Sequence, residues 1–140
     1  MLMLTSGQRD LVRDKGTILG RALIGLLFFM SGVSMALTGG SGFIAGTLAF
    51  LGPLAIVVAW VAIIVKIVAG GAIMIGKRVG LASASLIVFT ILATALAHMN
   101  WSDPTQITAT LKNLAIVGGL MYLMAYGPGG AHTTRLANEE

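Results

Sequence analysis

The chain has 140 residues, of which 56% are hydrophobic and only 10% are charged. A soluble domain of this length needs far more charged surface, so the composition excludes a soluble globular protein. The net charge of +4 would suit a nucleic-acid-binding protein, but the basic residues lie at the ends of apolar segments, where orientation in a membrane requires them, and no nucleic-acid partner is expected.

The N-terminal third contains one segment that can span a bilayer and one that cannot. Residues 1–16 are polar and mixed in charge, which predicts a short helix on the membrane surface. A first span is predicted for residues 17–37, and the glycine-rich residues 38–42 end it. The apolar residues 43–51 are too few to cross a bilayer, so we expect an interfacial or re-entrant segment there.

The middle of the chain holds the most apolar stretch. A second span is predicted for residues 54–75, and Pro53 precedes it at a position where a missing N–H group is harmless. A short turn, Gly76-Lys-Arg-Val-Gly80, leads to a third predicted span at residues 81–99. The second span contains a single charged residue, Lys66, about 20 Å along its axis at 1.5 Å per residue.

The fourth span has the clearest start signal. Asp103 has the character of an N-cap, Pro104 suits the first helical position, and Gln106 suits the third. We predict a span at residues 106–126, because the glycines and proline that follow cannot continue a helix. Residues 127–140 form the predicted tail.

Lysines and arginines are distributed unevenly between the two predicted sides of the membrane. They occur before the first span, in the turn after the second and in the tail, whereas residues 38–53 and 100–107 contain none. The positive-inside rule therefore predicts that both termini are cytoplasmic, in the inner or plasma membrane of the cell. The predicted fold is an all-α integral membrane four-helix bundle, a single membrane domain with a short interfacial or re-entrant segment between spans one and two.

Several stretches, taken in their order and spacing, resemble the DoxX-like family of small four-span membrane proteins. They are Ser31-Gly-Val-Ser-Met-Ala-Leu37, Leu51-Gly-Pro53, Val68-Ala-Gly-Gly-Ala-Ile-Met-Ile-Gly-Lys-Arg78, His98, Leu111-Lys-Asn-Leu-Ala-Ile-Val-Gly-Gly119 and Gly127-Pro-Gly129. The resemblance covers nearly the whole chain. It implies a role in redox chemistry, as a membrane subunit of a thiosulfate:quinone oxidoreductase or of another oxidoreductase assembly. Two positions depart from it: Lys66 stands where many relatives carry glutamate, and Met35 where a lysine is common.

Lys66 is costly inside a bilayer, at about 2.5–3.5 kcal/mol on insertion scales. Its side chain either reaches the inner headgroups or makes a polar contact inside protein. Every carboxylate of the chain lies outside the predicted spans, so a serine, backbone carbonyls, a lipid phosphate or a neighbouring subunit would have to serve as its partner. We expect a contact with another membrane subunit, at which small residues also allow close helix packing; the predicted contact residues are Lys66, Gly70, Gly71, Gly118 and Gly119.

A second group of polar and aromatic residues is expected near the outer membrane face, in spans two and four, at the end of span three and in the segment between spans three and four. It consists of His98, Lys112, Asn113, Trp60 and Trp101. One interpretation is a site for a quinone or a lipid headgroup, with His98 or Lys112 bonding a carbonyl oxygen and Trp60 stacking on the ring. The alternative is that Trp101 is an interfacial anchor and Lys112 reaches Asp103 or lipid phosphate.

Other cofactors fit the sequence poorly. There is no cysteine, which excludes thiol redox chemistry and thiolate ligation of iron–sulfur clusters. Haem ligation by two histidines fails because His132 lies in the predicted cytoplasmic tail, and no cluster of His, Asp and Glu indicates a metal site. We therefore predict an auxiliary subunit of a quinone-linked redox assembly that is not catalytic on its own. The alternatives are a small carrier or channel-like protein with Lys66 in an anion path, and a purely structural adaptor.

Overall fold

In this computed structural model, residues 5–129 are described. The elements in this range are all helical: α1 Ser6–Leu11, a π-helical turn Val12–Gly16, α2 Thr17–Leu37, α3 Gly40–Thr47, a 3₁₀ turn Ala49–Leu51, α4 Leu54–Ile75, α5 Val79–Ala97 and α6 Pro104–Tyr126. Four helical stretches are long and apolar enough to cross a membrane: Ser6–Leu37, α4, α5 and α6. The predicted all-α membrane fold is confirmed, and the chain is an integral membrane protein. Most of the predicted tail, residues 130–140, lies outside the described residues.

The first helix is longer than its apolar part. It begins at a capping box in which the backbone N–H of Gln8 donates to Thr5 Oγ1 (3.4 Å) and the N–H of Thr5 donates to Gln8 Oε1 (2.9 Å). The chain stays helical through the π-helical turn, so residues 6–37 form one continuous stretch. The basic residues that precede the first span therefore extend the same helix instead of forming a separate element.

Short α3 fills the interval between the two long helices α2 and α4. Gly39 adopts a left-handed conformation with φ of 74°, which allows α3 to begin directly after α2. At the end of α3, Leu48 is buried, whereas Phe43 and Phe50 are exposed. With eight residues α3 is too short to span, and it packs mainly against α4.

The two central helices α4 and α5 are joined by a tight turn. Gly76 has φ of 78°, and two bonds close the end of α4: the N–H of Gly76 donates to Ile73 O (3.1 Å) and the N–H of Lys77 to Ala72 O (2.9 Å). This is the Schellman arrangement, which satisfies carbonyls that would otherwise face the membrane unpaired. Helix α5 begins and ends two residues before the predicted span.

Helices α2 and α4 approach each other closely where both carry glycine. A Cβ placed on Gly70 would lie 2.7 Å from Phe29 N and 2.9 Å from Gly25 O, and one placed on Gly32 would lie 2.7 Å from Ile67 Cγ1. No side chain fits there, so the backbones are in direct contact. We call the contact formed by Gly25, Gly32 and Gly70 the α2–α4 glycine contact.

Larger side chains fill the rest of the bundle interior. The buried cluster draws on α2, α4, α5 and α6, and its members are Phe28, Ala69, Ile73, Val79, Ala82, Leu86, Leu120 and Leu123. Many other large apolar side chains are exposed along the same helices, as expected for surfaces that face lipid.

Helix α6 begins at the cap that the sequence predicts. Asp103 Oδ1 accepts hydrogen bonds from the Thr105 hydroxyl (2.7 Å) and the Thr105 N–H (2.9 Å), and Pro104 is the first helical residue. These two bonds, the side-chain bond first, hold the pKa of Asp103 below its ordinary value. Gln106 does not complete a capping box, because its side chain bonds to His98 instead.

Candidate functional site

Lys66 is enclosed within the chain. Its side chain is only 5% exposed, and its ammonium donates to Ser31 Oγ at 2.5 Å and lies 3.4 Å from Met35 Sδ. The Phe89 ring of α5 adds a cation–π contact, with its centroid 5.5 Å from Nζ. Helices α2, α4 and α5 thus all contribute to the surroundings of this charge.

The glycine contact between α2 and α4 explains how Ser31 can reach the lysine. A Cβ on Gly32 would lie 3.1 Å from Lys66 Cβ, so the two backbones are close enough for a short serine side chain to meet the ammonium. Of the partners considered from the sequence, an internal serine is the one observed. Within the described residues this is a polar contact inside the protein.

A groove of about 690 Å³ lies between α3, α4 and α5; we call it the α3–α5 groove. Helix α5 contributes one wall from Ala84 to His98, α4 contributes Val58 to Val65, and the end of α3 covers part of it. The lining is predominantly apolar. The polar side chains among the lining residues are Thr47, Ser85 and His98.

The lysine and the groove share two side chains. Met35 and Phe89 line the α3–α5 groove, and both contact the ammonium of Lys66. Lys66 itself is not among the lining residues. The charge therefore lies behind the groove wall and does not line the cavity.

His98 stands at one end of the groove and is held from α6. Its Nδ1 lies 2.7 Å from Gln106 Oε1, and Thr110 Oγ1 donates to its backbone carbonyl at 2.9 Å. The imidazole tautomer and the orientation of the Gln106 amide together determine which group donates in this contact, and Nε2 of the ring remains for a further partner. Two contacts from a neighbouring helix thus fix the position of this half-buried ring.

The other residues of the predicted outer site do not line this groove. Asn113 Nδ2 donates to Thr94 Oγ1 (2.9 Å) and so links α6 to α5. Lys112 is exposed, and Trp60 and Trp101 are 44% and 61% exposed. Of the five residues of the predicted outer site, His98 alone lines the groove. Sequence reasoning missed Phe89, Met35 and the α3 wall, because their apolar residues look the same whether they face lipid or a cavity.

The predicted contact glycines differ in their surroundings. Gly70 is buried against α2, and a Cβ on Gly71 would lie 3.7 Å from the Phe29 ring. A Cβ on Gly119 would lie 3.1 Å from Ile24 Cδ1, whereas one on Gly118 would meet nothing within 4 Å. Gly70 is thus used inside the chain, and Gly118 is exposed on α6.

Comparison with known proteins gives one informative similarity. The chain is 28% identical over 131 residues to the inner membrane protein YqjF of Escherichia coli (strain K12), and the match covers 92% of this chain and 97% of that protein. No family model matches the chain, and no solved structure matches it.

Proposed function

We propose that this chain is a DoxX-like accessory subunit of a quinone-linked redox assembly in the inner membrane, with both termini cytoplasmic, and that the α3–α5 groove holds the quinone. The chain supplies the binding surface, and the electron-transfer centre belongs to a partner subunit. The observation that carries the proposal is a long apolar groove that ends at a fixed histidine.

The dimensions of the groove suit a lipid-soluble ring with an isoprenoid tail. Its volume of about 690 Å³ is within the range of about 300–1,000 Å³ that small-molecule sites occupy. The wall from Ala84 to His98 extends about 21 Å at 1.5 Å per residue. An apolar tail can lie along this wall, while the ring stays at the His98 end.

The chemistry of His98 suits both redox forms of the ligand. Its Nδ1 is bonded to Gln106, which leaves Nε2 for a ligand. An unprotonated Nε2 accepts from a quinol hydroxyl, and a protonated Nε2 donates to a quinone carbonyl. The ring can therefore hold the carrier beside the partner subunit in either redox state.

The localisation and the family resemblance support the same proposal from another direction. The similar Escherichia coli protein is named as an inner membrane protein. The two positions at which the chain departs from the DoxX-like pattern, Met35 and Lys66, are in contact in the structure, 3.4 Å apart. The two departures thus form one contacting pair.

Equilibrium binding of a radiolabelled short-chain benzoquinol to the protein in nanodiscs, against empty nanodiscs, tests the proposal. Ala93→Phe places a ring in the groove and should weaken binding at least about 10-fold. His98→Leu should weaken it about 3- to 10-fold by removing one hydrogen bond. Val57→Phe on the exposed face of α4 is the matched control, because Val57 does not line the groove. Equal affinity for all four proteins would contradict the proposal.

A further inference from the structure

A second cavity lies at the end of the bundle where α2 begins and α6 ends. Its volume is about 580 Å³, and it is bounded by α1, the π-helical turn, the first half of α2 and the last turns of α6. Three arginines line it: Arg9, Arg13 and Arg21. None of the residues that line it within the described range 5–129 is acidic. We call it the arginine pocket.

Arg21 lines this pocket from α2. Its guanidinium lies against Gly76, at the left-handed turn that ends α4, where a side chain would collide with it. Its Nε is buried and has no hydrogen-bond partner within residues 5–129. A buried donor without an acceptor is costly, so the described part of the chain leaves this guanidinium incompletely paired.

Glycines leave the space that such a ligand needs. A Cβ on Gly20 would meet nothing within 4 Å, and one on Gly16 would meet only Val12 Cγ1 at 3.8 Å. Both residues line the pocket. The arginine side chains therefore surround an opening whose floor is partly bare backbone, wide enough for a tetrahedral anion.

The apolar part of the pocket indicates what kind of anion fits. Ile24 and Leu123 line its deeper side, and Tyr122 lies at its α6 edge. A soluble anion makes no favourable contact with apolar side chains. A phospholipid places its phosphate at the headgroup level and its acyl chains beside apolar helix faces. Basic pockets between transmembrane helices recognise anionic lipid headgroups in this way.

We propose that the arginine pocket is a binding site for an anionic phospholipid. The guanidinium groups of Arg9 and Arg13 bind the phosphate oxygens, since the planar fork of arginine matches phosphate in bidentate geometry, and Arg21 adds positive charge at the pocket wall. The acyl chains lie along α2 and α6. This proposal stands independently of the quinone groove, with which it shares no lining residue.

Selective lipid binding can be measured by native mass spectrometry of the protein released from nanodiscs of phosphatidylcholine and phosphatidylglycerol. The wild-type protein should retain phosphatidylglycerol in preference to phosphatidylcholine. Arg9→Gln with Arg13→Gln should reduce this preference about 10-fold or more, because each basic residue near the surface contributes substantially to anionic lipid binding.

Two further variants separate the pocket from general surface charge. Lys77→Gln with Arg78→Gln removes two charges at the same end of the bundle, outside the pocket, and should leave the preference almost unchanged. Gly20→Leu fills the pocket while keeping every charge, and should abolish the preference in a protein that still unfolds at the wild-type temperature.

Two results would overturn the proposal. One is an equal loss in the Arg9/Arg13 and Lys77/Arg78 variants, which would mean diffuse attraction to a charged surface. The other is displacement of phosphatidylglycerol by millimolar inorganic phosphate, together with binding of that phosphate to the wild type and not to the Gly20→Leu variant. This result would identify a soluble phosphate as the ligand.

Discussion

Two glycine pairs look alike in the sequence and differ in the structure. Gly70-Gly71 and Gly118-Gly119 both lie in long apolar helices. Gly70 is in backbone contact with α2, so that even a methyl group would collide, whereas Gly118 has open space around it. The difference arises on the partner helix, because α2 presents Gly25 opposite Gly70 and only the Ile24 side chain opposite Gly119.

A pair of glycines in a membrane helix therefore marks a close contact only when the facing helix also carries small residues at that position. Gly25 and Gly32 stand as single glycines in the sequence, yet they form the other half of the α2–α4 glycine contact. The contact in turn brings Ser31 to Lys66. The tight interface thus also provides the partner for the buried charge.

Gly70→Leu should have the largest effect on stability. The leucine would overlap backbone atoms of Gly25 and Phe29, and rigid backbone cannot move aside as a flexible side chain can. We expect a loss of about 3 kcal/mol or more in the free energy of unfolding, measured by denaturant titration in mixed micelles. Gly118→Leu makes the same change in open space and should alter this free energy little; equal losses in the two variants would refute the comparison.

Ser31→Ala should have the next largest effect. It removes the hydroxyl that accepts from Lys66 and leaves a buried ammonium short of a partner, at a cost of about 1–3 kcal/mol in unfolding free energy. Lys66→Met, which removes the charge and keeps an apolar stem beside Met35 and Phe89, should cost less. The double variant should be close to Lys66→Met alone, since both polar partners are then absent.

The same titrations, together with co-purification of each variant, decide between the internal and the intermolecular interpretations of Lys66. If Ser31→Ala leaves the unfolding free energy unchanged while Lys66→Met loses any protein that co-purifies with the wild-type chain, the lysine serves a partner subunit. The internal contact predicts that Ser31→Ala lowers the unfolding free energy and that Lys66→Met does not change what co-purifies.

Asp103→Ala should have the smallest effect, because a local cap holds the start of α6. The native pKa of Asp103 is lowered by its bonds to Thr105, so the unfolded state binds the proton more readily and the cap stabilises the fold above the unfolded pKa, about 3.9. This contribution is lost as the pH falls through the lowered native pKa. The difference in melting temperature between wild type and variant should therefore be present at pH 7 and shrink towards pH 2; a constant difference would show that the carboxylate charge is not responsible.

Much of the fold follows from the sequence, because long apolar stretches, a proline and the glycine-rich turns determine where helices begin and end. The four helices, the short α3 and the Asp103 cap are of this kind. The sites are different. Lys66 was visible as an anomaly, but its partner Ser31 is one of several serines in apolar helices, and nothing in the local sequence distinguishes it. The groove was also hidden, since lipid-facing and ligand-facing residues obey the same hydrophobic pattern.

The most direct test of the proposed function is where a bound quinone lies. Photolabelling with an azidoquinone in nanodiscs, followed by mass spectrometry of the digested protein, reports the labelled residues. We predict labels on the groove walls, in α3 and from Ala84 to His98, and their loss when unlabelled short-chain benzoquinol competes. Labels spread evenly over the lipid-facing residues of all four long helices, and unaffected by the competitor, would contradict it.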